Sequence, residues 1–373
     1  MPAYLANRLL SAFSSEILNM RGPWFCPNFR SLARCLTLIA GCALALAPIG
    51  LSDIVAAEDA QAAIMKANAF IETAKMTERA VDSWERYASW VNMKTGPTGK
   101  ERYISYGMYD LPDVPELLAE ARRAAAMPPV TTLDKIVPRY LNAYEAVAPV
   151  MNTASAYYER AGYETDNAAE GQALHTKMIP LATAFLAERD ALMPELRRYV
   201  REVEGEELAA IEARDGRSAA WQAGQVLHAA NRVMDLFPRD RPQQFTGNEL
   251  DDMMKGLGPD TPGEKFDEII MGVKRPKDAT IDVAQFREAL RAYAAAVATF
   301  DGFTGEKPEE FDELKPLPRQ LLEMLRAFEN PLADSKGHEF VGGGQMVARI
   351  VELYFDLFNA GNGIAGSQLR HLP

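Results

Sequence analysis

Cysteine is confined to Cys26, Cys35 and Cys42, so everything beyond residue 42 of this 373-residue chain is without a thiol. For the body of the protein that excludes disulfides, thiolate metal ligands and a cysteine nucleophile. A chain this long can be stable without disulfides, because its core suffices. Positive charge is also short: 40 Lys and Arg stand against 52 Asp and Glu, a net of -12. Nonspecific attraction to nucleic acid or anionic lipid is therefore not expected. Histidine occurs only at His175, His228, His338 and His371, and the residues three places before are Gln172, Gln225, Ser335 and Gln368. The Glu-x-x-His pairs of di-metal helical bundles are thus missing, as is His-Glu-x-x-His, and no metal or cofactor is expected. Sustained two-residue alternation between turn signals is lacking too, so strands are not expected.

What is present begins with a leader. Arg21, Arg30 and Arg34 precede an uncharged run from Cys35 to Leu51, broken near its end by Pro48 and Gly50. Val55-Ala56-Ala57 follows, and then the acidic Glu58-Asp59. A basic segment, an apolar stretch and small residues before a polar start describe a secretory signal, with cleavage expected after Ala57. The run is marginal as a membrane span, which needs about 20 apolar residues. A competing reading is lipidation: Ile39-Ala40-Gly41-Cys42 fits a bacterial lipobox, although Cys42 is followed by Ala-Leu-Ala-Leu-Ala where a lipoprotein usually turns polar. An uncleaved anchor is the third alternative, and Met20 is a candidate start. Removing residues 1–57 takes away four Arg and two acids and leaves a net charge of -14.

The remainder reads as all-α, an elongated bundle of long, partly kinked amphipathic helices. Leu174, Met178, Leu181, Phe185, Leu192, Leu196, Tyr199 and Val203 recur at steps of three, four or seven, which is one face of a helix. Phe286, Leu290, Tyr293, Val297 and Phe300 repeat the pattern. The spacing predicts helices over 59–94, 114–126, 132–161, 167–214, 217–236, 281–301, 308–329 and 341–360. Asp166-Asn167 is a start signal and Gly162 a stop signal. Pro138, Pro149, Pro180 and Pro194 fall inside these patterns, where kinks or breaks are expected. Residues 58–236 form the expected main bundle and 237–280 a connector rich in Pro, Gly and Asp. Residues 281–373 add C-terminal helices of the same or a second unit.

The most distinctive segment is 68–111. It contains Asn68-Ala-Phe-Ile-Glu72, Ser83-Trp-Glu-Arg-Tyr-Ala-Ser-Trp-Val-Asn92, Lys94-Thr-Gly-Pro-Thr-Gly-Lys-Glu-Arg102 and Tyr106-Gly-Met-Tyr-Asp-Leu111. Tyr140, Tyr144, Ala156-Tyr-Tyr-Glu159 and Gly171-Gln-Ala-Leu-His175 follow. In these motifs the chain resembles the YiiG-like family of bacterial envelope proteins, from about residue 62 to 355. The resemblance implies an exported, mostly helical protein without an assigned activity, and it supplies no catalytic residue. Many of the relatives are lipoproteins, which bears on Cys42.

Gly96-Pro-Thr-Gly-Lys-Glu-Arg102 has the glycines and lysine of a phosphate loop but neither its four-residue gap nor its Ser/Thr, and a helix precedes it. Gly96-Pro97 is expected instead to end the first helix. Lys100, Arg102, Tyr106 and Tyr109 make this loop the candidate ligand or partner contact. Trp84, Tyr87, Ala88 and Val91 share one helical face, with Trp90 pointing elsewhere. Glu202, Glu204, Glu206 and Glu207 beside Arg197, Arg198 and Arg201 read as a solvated helix face. The functional expectation is a periplasmic, noncatalytic helical envelope protein that binds a protein or small ligand through a bundle face or end loop. It would touch the membrane only if lipidated at Cys42. The alternative is a hydrolase or metal-dependent enzyme whose site assembles from distant acids and histidines. Replacing Cys42 with Ala is expected to leave the mature mass and the aqueous partitioning unchanged; loss of an acylated, detergent-phase form would instead establish lipidation.

Overall fold

The computed structural model describes residues 51–237, 243–244, 273–274, 280–337, 344–367 and 369. Residues 1–50, with Cys42, and almost all of the 237–280 connector lie outside the described residues, as do His338 and His371, while the expected cleavage point after Ala57 falls within the first helix, Leu51–Ala88. The class is all-α. Among the described residues no helix is long and apolar enough to cross a membrane, and the strands that the sequence did not lead one to expect amount to a two-residue antiparallel pairing. There β1 (Gln243–Gln244) bonds β2 (Val273–Lys274), a ladder too short to leave an alternating pattern in the sequence.

A first core gathers α1 (Leu51–Ala88), α2 (Pro115–Ala125), α3 (Leu133–Glu159) and the 47-residue α5 (Ala169–Asp215), with one-turn α4 (Tyr163–Asp166) before the last. α1 buries Ala63, Ala67, Phe70, Ala74 and Val81, a stripe with the period of one helix face. Its small alanines leave room for large partners: Tyr140 and Tyr144 of α3 pack on Phe185 of α5 with ring centroids 5.4 and 5.9 Å apart. Each such aromatic, fully buried, contributes about 1.5–3 kcal/mol. Thr77 and Tyr140 share a hydroxyl–hydroxyl bond of 2.5 Å inside this layer.

A second core is a ring of four helices, α6 (Ala219–Met234), α7 (Val283–Asp301), α9 (Leu317–Asp334) and α10 (Gly344–Ala365). Each packs on two of the others, and one-turn α8 (Phe311–Leu314) packs on α9 and α10. Phe286, Tyr293, Phe300, Phe311 and Phe328 are among its most buried side chains. Ser218 caps α6 through Trp221 N–H, and Asp282 caps α7 through the Ala284 and Gln285 amides at 2.8 and 2.9 Å. α5 packs against α6 and so reaches both cores.

Several boundaries differ from the periodicity. α1 stops at Ala88, six residues short of the predicted end, because the chain turns away there. α3 and α5 run unbroken through Pro138, Pro149, Pro180 and Pro194. Pro149, Pro180 and Pro194 sit on exposed faces. A carbonyl released four residues earlier can be hydrated on such a face while the opposite face stays packed. The predicted 308–329 helix is divided at Lys315–Pro316, so that Pro316 and Pro318 open α9, and it continues to Asp334. Asp166 closes α4 and the N-cap of α5 is Ala168, although the Asp166 carboxylate still accepts Glu170 N–H at 2.8 Å. Gly162 does not stop α3: Ala161 takes the left-handed turn at φ 53. Gly162 is required by packing instead, since a Cβ there would lie 2.5 Å from the Tyr157 ring.

One buried cation ties α1 to the turn before α3. Lys66, 0% exposed, donates to the carbonyls of Met127 and Pro129 at 2.8 and 2.7 Å and pairs with Asp134 at 2.5 Å. Asp134 also accepts the Thr131 amide at 2.8 Å, so acid, lysine and turn form one closed set. Lys66→Met would strand two carbonyls and a carboxylate. Removing one member of a buried pair typically costs about 3–5 kcal/mol, and the expected outcome is a urea midpoint lowered accordingly with an unchanged slope.

Candidate functional site

Between Ala88 and Pro115 the chain has only one turn of 3-10 helix, Ile104–Tyr106, and its backbone must find other partners. It turns first on Asn92, whose side-chain oxygen accepts the Lys94 and Thr95 amides at 3.0 and 3.2 Å and whose carbonyl accepts Gly96 N–H at 2.8 Å. Gly96 is held at φ 75, and a Cβ on it would meet Gln172 Oε1 at 2.6 Å. The close approach lets Gln172 of α5 donate to the carbonyls of Thr95 and Pro97 at 3.1 and 2.5 Å. The other end is fixed by α1 and α3. Ser83 donates to Tyr109 O and accepts its amide, Ser155 donates to Met108 O, and Asn152 pairs with both polar groups of Leu111.

Beneath this loop lies an aromatic block that helical extrapolation misread. Trp90 does not point away: it is 4% exposed and packs edge-on against Tyr87 and Tyr158, centroids 5.1 and 5.0 Å away. Its indole N–H donates to Gly107 O at 2.9 Å. The helix ends two residues earlier, so the 100° step per residue no longer applies to Trp90. The Tyr87 hydroxyl meets His175 Nδ1 at 2.9 Å. Burial raises the pKa of Tyr87 and lowers that of His175, the latter opposed by a hydrogen bond with the backbone of Met93. His175 is thus a neutral core histidine joining α1, α5 and the loop.

The outward face of the loop carries the residues that the sequence singled out. Tyr106 is 51% exposed. Arg86 donates to Tyr106 O at 2.6 Å, and its guanidinium lies 4.4 Å from the Tyr109 ring centroid and 5.7 Å from that of Tyr106. Arg79, seven residues earlier and two turns away on α1, covers Tyr109 at 3.9 Å. Tyr103 packs on Tyr106 at 5.2 Å, and Arg102 lies over Tyr103 at the same distance. Tyr106, Tyr109 and Arg102 therefore join one Arg–Tyr surface, whereas Lys100 is exposed in the preceding turn and makes no ring contact. Arg79 and Arg86 were missed; their spacing of seven was the available signal, placing both on the helix face that the loop covers.

The two described histidines do not converge. His175 belongs to the first core, and His228 of α6 meets Glu204 at 3.3 Å. Among the described residues no group of three His, Cys, Asp or Glu side chains is placed to hold a metal ion.

The model of a family described as "Protein of unknown function (DUF3829)" matches residues 61–300. Over 165 residues the chain is 27% identical to Uncharacterized protein YiiG of Escherichia coli (strain K12), covering 43% of this chain and 46% of that protein. The chain thus spans about half the length of the curated relative it matches. No solved structure matches it.

The depressed pKa of His175 sets a direction for stability. An unfolded histidine takes up a proton near pH 6.5, whereas the folded ring resists until lower pH. Its contribution is complete above that value and is lost as pH falls toward the folded pKa. Between pH 7.5 and 5.5 the urea midpoint is expected to fall, and to fall less steeply in His175→Asn.

Proposed function

We propose, on the premise that this chain belongs to the DUF3829 family, that it is an exported, noncatalytic helical envelope protein that engages a partner protein through its Arg–Tyr surface. The observation that carries the reading is the packing of two guanidiniums over Tyr109 with Tyr106 half-exposed beside them. Tyrosine and arginine dominate the energetic centres of protein interfaces. Each cation–π contact adds about 0.5–1 kcal/mol at an exposed site, more when a partner desolvates it. Rigidity supports the same reading. The loop is tied to three helices by side-chain hydrogen bonds, so little ordering cost remains at binding.

Export rests on the leader: the basic segment, the apolar run and the small residues up to Ala57 deliver the chain to the periplasm. Lipidation of Cys42 would add a membrane tether. The noncatalytic reading rests on the absence of a catalytic motif from the sequence, and on His175 and His228 standing on different helices with different partners, Tyr87 and Glu204.

A photo-crosslinking residue placed at Tyr106 in the cell-envelope fraction tests the surface. A discrete adduct is expected, reduced about tenfold by Arg86→Ala with Tyr109→Ala, on the scale of truncating an interface anchor. Lys135→Ala, at the opposite end of α3, should leave it unchanged. No adduct, or one indifferent to the double substitution, would overturn the assignment.

A further inference from the structure

A second site lies away from the loop. α5, α6 and α10, with the residues just after α10, line a partly open cavity of about 70 Å³. Its apolar wall is Val200, Leu208, Ile211, Leu227 and Phe358. Its polar wall joins two arginines, Arg197 and Arg201, to three acids, Glu204, Glu207 and Asp235, with His228, Asn231 and Tyr354 among them. The run Glu202–Glu207, which the sequence presents as uniformly solvated, is therefore divided. Glu202 and Glu206 are exposed, while Glu204 and Glu207 line the cavity, because α6 and α10 cover that side of α5.

Charge inside the cavity is unequally matched. Arg201 pairs with Asp235 at 2.5 Å, so these two cancel. Ser367 donates to Glu207 at 2.6 Å, and both Glu207 and Arg197 have further partners. Glu204 differs: its hydrogen bonds come from the neutral Asn231 amide at 2.8 Å and the His228 ring at 3.3 Å. The Tyr354 hydroxyl donates to Asn231 Oδ1 at 2.8 Å, which turns the amide N–H toward Glu204. A Tyr–Asn–Glu chain thus fixes a carboxylate at the wall of a cavity whose other side is apolar.

We propose that this cavity binds a small organic cation, an alkyl ammonium or guanidinium compound, with its charged head on Glu204 and its aliphatic stem along Leu208, Ile211 and Phe358. A carboxylate oriented in advance and partly removed from water favours a cation that brings its own apolar surface over one that does not. Phe358 and Tyr354, with ring centroids 6.4 Å apart, add aromatic faces beside the head group. The site is independent of the Arg–Tyr surface.

Calorimetric titration of the purified protein with agmatine and with putrescine tests it, with butane-1,4-diol and glutarate as neutral and anionic controls. Saturable one-to-one binding of an amine is expected, weakened about tenfold or more by Glu204→Gln, since a hydrogen bond to a charged group is lost. Tyr354→Phe should weaken it several-fold by releasing Asn231, and Lys177→Ala, exposed near the other end of α5, should have no effect. Saturation by neither amine, equal binding of the diol, binding of glutarate instead, or unchanged affinity in both Glu204→Gln and Tyr354→Phe would overturn the proposal.

Discussion

The architecture around the Arg–Tyr surface depends on one constraint: a chain that leaves its helix at Ala88 and next enters a long one at Pro115 must still satisfy its backbone. Each buried amide or carbonyl without a partner costs about 1–3 kcal/mol. Helices α1, α3 and α5 meet that demand with Ser83, Asn152, Ser155 and Gln172, one short polar side chain after another projecting from otherwise apolar faces. The same ties align Tyr106 and Tyr109 beneath Arg79 and Arg86. Fold stability and surface geometry are here a single set of interactions.

Two cores divide the remaining work. The first is aromatic and polar at its loop end, where Tyr87, Trp90, Tyr158 and His175 interlock, and is closed further along α1 by Lys66. The second is a four-helix ring dominated by Phe, Leu and Ala. α5 connects them, burying Leu174 through Val203 in the first and packing on α6 of the second beyond. At that junction packing is less complete, and the acids of α5 face side chains of α6 and α10 across a cavity.

Much of the fold was legible because helical periodicity is a local property. The stripes of α5 and α7 stand in the sequence at steps of three, four or seven, and burial follows them. Of the kinks or breaks expected at the prolines, no break occurs, because a carbonyl freed on an exposed face is hydrated while the opposite face stays packed. The Trp90 direction and the Gly162 role were misread for the same underlying reason, namely that each follows from what the chain does after a helix ends. The candidate site was half legible. Tyr106, Tyr109 and Arg102 stood out by composition, while Arg79 and Arg86 looked like ordinary helix-surface cations.

By itself the sequence determined the class, the helix faces and the thiol-free body, since these follow from composition and from spacing within one element. Only the tertiary structure decided which cations lie over which rings, that Lys66 is buried rather than solvated, and that Glu204 lines a cavity while Glu202 meets water. Those outcomes depend on contacts between residues tens of positions apart, and a helical period carries no information about which neighbour will cover a given face.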